Sequence, residues 1–256
     1  MKNIQTYNIS LILLMLLVSF TTNAQSQQKD SGIIIYERKS NWAKIYSRAT
    51  FLSQEEKDRM QQTWKNDSEY KTKMKLYFSP SKSLYTYNSD QNESEDGTYS
   101  WRQSDFIVSK NFDTEQSLEV HEMIGKTFIL DDTLRAPKWR IMNQLKDING
   151  YICMKAVTKD TVRKQDITAW FTDALPSMAG PERYFGLPGV ILELEINDGD
   201  VIMTAEKIEF KNVEEELKMK KLPKGKKIDE KTYNLLISKY LTECMTSHRF
   251  PWGIRY

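Results

Sequence analysis

Along most of this chain apolar and polar residues alternate in short runs, the two-residue period of a strand with one buried face. Residues 72–78 show it most cleanly: Thr72, Met74, Leu76 and Phe78 fall on one side, Lys73 and Lys75 on the other. Turn residues 79–83 follow and lead into Leu84, Tyr85, Thr86 and Tyr87, so the two runs predict a hairpin. Further strands are read at 32–40, 106–112, 117–125, 126–132, 139–150, 151–157 and 165–173, parted by polar turns, several with Gly, Asn or Asp. Strands recurring at intervals of about 8–12 residues, with no helices between them for parallel crossovers, predict a mainly β (α+β) fold. The architecture expected is a curved antiparallel sheet, a sandwich or an open barrel. One helix is expected in the N-terminal half, where Ser53 and Glu56 have capping-box spacing and Met60 and Trp64 share a face. A C-terminal helix should start at Asp229, with Leu235, Ile237, Tyr240, Leu241 and Cys244 as its apolar positions.

The stretch "GPERYFGLPGVILELEINDGD" departs from this simple alternation. Leu187-Pro188-Gly189-Val190 has the composition of a type II turn, with proline fixing φ and glycine supplying a positive φ. The strand it launches is apolar on both faces at Val190–Leu192 and then alternates, Leu192, Leu194 and Ile196 inward, Glu193 and Glu195 outward. Gly180 and Pro181 begin a second turn, so Gly180, Pro181, Gly186, Leu187, Pro188 and Gly189 frame one constrained loop carrying Arg183, Tyr184 and Phe185. It holds no Ser, Cys or His nucleophile and no phosphate-cradling motif, which favours a loop shaped to seat a strand.

The chain has 256 residues, 37 basic against 35 acidic side chains, and a formal charge of +2. So even a balance gives no argument for nucleic acid. Residues 1–24 read as a signal peptide: Lys2, an apolar run from Ile9 to Phe20 too short to span a bilayer, and small residues before cleavage near Ala24. Residues 25–256 then form one exported β-rich domain without a transmembrane segment, with a C-terminal linker and helix over about 211–256. Export leaves two states open for Cys153 and Cys244, a stabilising disulfide or two buried thiols. The acidic stretch 88–98 is expected to be a mobile loop, and the lysine-rich stretch 218–227 a solvated linker. His121 and His248 have no motif around them, and no cofactor or metal set is legible. A soft metal on Cys153, Met154 and Met178 is a minor variant.

"YICMKA" at Tyr151, "AWFTDALP" at Ala169, "GPERYFGLPGVILEL" at Gly180 and the late "PKGKKI" resemble, in order and spacing, the GLPGLI family of exported Bacteroidetes proteins. Val190 and Phe171 replace a leucine and a tyrosine usual in that family, both keeping bulk. The resemblance covers roughly residues 139–228 together with the signal peptide and first strand, and leaves the rest of the N-terminal half unmatched. It implies an exported β-rich domain of unestablished function, often found near outer-membrane TonB-dependent receptors. It also implies O-glycosylation signatures at Asp132-Thr133-Leu134 and Asp160-Thr161-Val162.

Three functional classes follow. The leading one is a periplasmic binding or accessory module, with Trp139, Trp170 and Tyr184 offering aromatic surface and Arg183 orienting an anionic group of a small ligand. The second is an envelope docking protein that needs no chemical motif. The third is a hydrolase, for which no nucleophile and base are paired in the sequence.

Overall fold

The computed structural model describes residues 30–65, 69–93, 97–219, 222–252 and 255; the expected signal peptide lies outside them. In chain order the N-terminal half contains β1 (Gly32–Asn41), α1 (Trp42–Arg48), α2 (Gln54–Thr63), β2 (Glu69–Phe78), β3 (Lys82–Tyr87), β4 (Gln91–Glu93), β5 (Ser100–Arg102), β6 (Phe106–Asn111), β7 (Gln116–Met123) and β8 (Lys126–Thr133). The C-terminal half contains β9 (Arg140–Ile148), β10 (Tyr151–Asp160), β11 (Gln165–Thr172), β12 (Val190–Ile196), β13 (Val201–Phe210), α3 (Glu214–Leu217), β14 (Lys226–Ile228) and α4 (Glu230–Thr246).

Twelve strands form one sheet in the order β14-β8-β7-β6-β3-β2-β1-β13-β12-β11-β10-β9. Its two ends do not pair, so the sheet is open. Antiparallel hairpins build each half, and β1, paired with β2 on one side and β13 on the other, joins them. The expected helices form, with the Ser53–Glu56 capping box and the Asp229 N-cap both in place.

Four features differ from the sequence reading. β14 runs parallel to β8, so the end of the lysine-rich stretch is an edge strand rather than linker. Parallel pairing is available there because the whole C-terminal half serves as the crossover. Part of the acidic stretch is also ordered, as β4 pairs with β5 in a separate two-stranded ribbon. A second N-terminal helix, α1, follows β1 directly, its Asn41 side chain accepting from the Lys44 amide while Ile45 and Tyr46 are buried.

The fourth concerns the glycine-rich loop. Gly189 donates to Leu187 C=O at 2.8 Å, closing a three-residue γ-turn on Pro188 instead of a type II turn. The demand for glycine stands: φ is +148° and an added Cβ would lie 2.0 Å from Thr172 O. At Gly180 the limit is space, because a Cβ would come within 2.6 Å of Ile191 Cδ1 and of Tyr184 O.

The main core explains why residues 173–189 are so constrained. Ile34, Tyr36, Leu76, Phe78 and Val108 from one half of the sheet and Ile167, Ala169, Phe171 and Leu194 from the other share a cluster with Leu175, Ala179 and Leu187 of that segment. Arg183 bonds Glu119 on β7, while Phe185 O accepts from Trp139 beside β9. In a flat sheet those two strands would stand nine spacings apart, ~43 Å at ~4.8 Å each. Three consecutive residues reach both, so the sheet curls around this loop.

Candidate functional site

Pro181 to Tyr184 form a turn closed by Tyr184 N–H donating to Pro181 C=O at 3.2 Å. Glu182 within it adopts φ +56°, a left-handed conformation that costs a non-glycine residue energy and persists only where its surroundings hold it. Here the carboxylate is gripped by Arg255, through Nη2 at 2.7 Å and Nε at 3.0 Å, with Arg38 Nε at 3.6 Å. Burial opposes the charge on Glu182, but Arg255 and Arg38 outweigh it and hold the carboxyl below its ordinary range. Arg255 also donates to Tyr87 Oη at 2.7 Å and lies 4.1 Å from the centre of the Phe106 ring. Earlier in the same C-terminal stretch, Phe250 packs on Tyr46 of α1 at 4.5 Å.

The next residue serves a second cluster. Arg183 pairs with Glu119 at 3.1 Å and with Glu230, at the start of α4, at 2.6 Å. His121 Nε2 meets Glu119 Oε2 at 2.7 Å, and its ring stacks on Tyr233 of α4 at 5.2 Å. Burial works against the Glu119 charge, yet Arg183, His121 and Lys110 together hold it well below the usual carboxylate range. The imidazole of His121 is shifted down by burial, which its Glu119 contact only partly offsets. Lys110, 2% exposed, donates to Glu182 O at 3.1 Å, and burial brings its pKa down to about 8.

Two cavities flank Arg183 and Tyr184. One of about 40 Å³ lies between His121, Tyr233 and Arg255. The other, about 230 Å³, lies between the β10–β11 turn, the end of β8 and the start of α4, and reaches Phe185 and Asn234. Asp160, Arg163, Arg183 and Tyr184 line both.

The four residues expected to bind a ligand are therefore divided. Arg183 and Tyr184 form cavity walls. Trp139 is a strut, donating from Nε1 to Phe185 O at 2.8 Å and packing edge-on against Tyr184. Trp170 alternates away from buried Ala169 and Phe171 to the opposite face, where Lys146 and Lys155 lie 5.6 and 5.8 Å from its ring. There it neighbours Glu193, whose carboxylate takes Lys146 at 2.5 Å and Thr204 at 3.0 Å. Cys153 on β10 and Cys244 on α4 are buried free thiols, so no disulfide joins them. Burial pushes the Cys153 thiol up to about 12. Of the soft-metal trio, Cys153 is sealed from solvent while Met178 is 41% exposed. His248 bonds Phe51 O at 2.6 Å, tying the end of α4 to the link between α1 and α2.

Sequence reasoning missed Lys110, Glu119, Glu182 and Arg255. A signal existed for one pair: Glu119 and His121 are two apart on a strand, the spacing that puts both on one face.

Residues 158–193, from the end of β10 into β12, match the model of a protein family of unknown function, Porph_ging. That span supplies both the β10–β11 turn and the Arg183–Phe185 wall of the larger cavity. No curated protein matches the chain. Two solved structures of PNGF-II, in P21 and C2 space groups, are similar over 82% of this chain, with TM-scores of 0.55 and 0.53 and identities of 13% and 14%. The chain spans about a third of their length, 34% and 33%, and at such identity the likeness is one of fold.

Proposed function

We propose that this chain is a non-catalytic binding or accessory module of the cell envelope, of the GLPGLI type, exported by a signal peptide ending near Ala24 and working beside an outer-membrane receptor. The observation that carries this reading is the contrast between the two cavities. His121 and Glu119, an acid–base pair, are each 6% exposed; the space of about 40 Å³ beside His121 and Tyr233 holds no more than a water or two, and Glu119 reaches the larger cavity as the ion-pair partner of Arg183. The larger cavity, by contrast, is walled by side chains already held in ion pairs, which suits recognition. Among the described residues no helix is long and apolar enough to cross a membrane.

A second reading, an envelope docking protein, draws on the β9 edge. Leu145 pairs with Met154 and Ile141 with Ala156, so they share a face with Ile152, and all three aliphatics are more than half exposed. Gentle crosslinking of the protein in its native envelope, followed by mass spectrometry of proteins and small molecules, tests both. A retained small molecule, or a receptor in near-equal amount, is expected. A partner crosslinked only through β9, with the cavity empty, would favour docking, and substrate turnover by the purified chain would contradict both.

A further inference from the structure

The larger cavity carries chemistry that narrows its ligand, an inference resting on the binding-module reading. Its volume of about 230 Å³ equals roughly eight waters at ~30 Å³ each. That admits a molecule the size of a free amino acid. Four carboxylates and four cationic side chains line it. Among the pairs, Arg183 joins Glu119 and Glu230, Arg135 joins Asp132 and Glu230, and Arg163 joins Asp160. A ligand with net charge would unbalance this set.

Two groups on different walls have hydrogen-bonding capacity to spare. Arg163, in the β10–β11 turn, meets Asp160 Oδ2 through Nη1 at 3.0 Å; among the described residues its Nε and Nη2 make no hydrogen bond. Its side chain is only 14% exposed. Asn234, on α4, has a buried Oδ1 with no partner among the described residues. One wall thus offers a guanidinium fork suited to a carboxylate, and the other an acceptor suited to an ammonium or hydroxyl. Leu130, Leu134 and Val162 leave room between them for a small apolar substituent.

We infer that this cavity binds a small zwitterion of the amino-acid class, its carboxylate on Arg163 and its ammonium on Asn234 and the adjacent Glu230. Calorimetric titration of the full protein with alanine, serine and leucine, and with N-acetylalanine, alaninamide and myo-inositol, tests it. At least one free amino acid is expected to bind. Acetylation, amidation, Arg163→Gln and Asn234→Leu should each weaken binding about tenfold, the loss expected for one charge-assisted hydrogen bond. Circular dichroism melts should show both variants folded, and Thr161→Trp, which fills the cavity from its rim, should abolish binding. Equal binding of the blocked forms, or binding of inositol in their place, would overturn the zwitterion and leave the module reading standing. No binding of any compound, together with no small molecule retained in native mass spectrometry, would overturn the zwitterion, and if crosslinking also recovers no receptor it would overturn the module reading as well.

Discussion

Glu182 and Arg183 are neighbours in one turn, yet they face two different environments. Glu182 is sealed between Arg38 and Arg255, with Lys110 on its backbone carbonyl. Arg183 points the other way, pairs with Glu119 and Glu230, and forms part of a cavity wall. The difference separates charge used to fix a fold from charge left at a surface that a ligand can reach. A buried ion pair adds little net stability, but removing one partner leaves the other uncompensated. Around Glu182 this locks the loop against β1 and the C-terminal segment. Around Arg183 and Arg163 the same ions are partly open.

The largest effect expected is on the loop itself. Gly189→Val places a β-branched residue at φ +148° with its Cβ against Thr172 O, and folded soluble protein should be lost. Recovery of native yield and melting temperature would show that the strand start is less constrained than described. Next comes Glu182→Gln, which strands Arg38 and Arg255 and should cost about 3–5 kcal/mol in urea unfolding. A cost below about 1 kcal/mol would erase the distinction between the two clusters.

Acid should act on both. His121 has a folded pKa shifted down from its ordinary 6.5, so it contributes no pH dependence above that value and disfavours the fold as pH falls below it. Glu119 and Glu182, also shifted down, stabilise above their ordinary 4.5 and lose that contribution as pH falls further. The urea midpoint should therefore decline from about pH 6.5 and more steeply below about 4.5. Lys110, lowered from 10.5 to about 8, should add a rise in stability across that alkaline interval, and Lys110→Met should remove it. A midpoint flat down to pH 5 would contradict the burial of His121. The smallest effect concerns the thiols: a reductant should leave the melting temperature unchanged, and a shift of several degrees would restore a bridge between Cys153 and Cys244.

Much of the frame was legible because it is local. Alternation at residues 72–78, the Ser53–Glu56 box and the Asp229 cap each depend on neighbours within a few residues, and each appears where expected. The loop was recognisable as constrained, although its turn proved tighter than a type II turn. The charge clusters were not legible, because their partners are remote: Lys110 meets Glu182 across 72 positions and Arg255 meets it across 73. Periodicity reports which face a residue occupies, not which distant element covers that face. For Trp170 it marked an aromatic strand residue without showing that the cavity lies on the other side of the sheet.

The most direct test sets the two clusters side by side: urea stability and amino-acid affinity measured on Glu182→Gln and Arg163→Gln. A crossed pattern is predicted. Glu182→Gln should lose stability and, under conditions where it stays folded, keep its affinity, while Arg163→Gln should lose affinity and keep stability within about 1 kcal/mol. If both variants lose stability and affinity together, the sealed cluster and the open cavity are one unit, and the division argued from Glu182 and Arg183 fails.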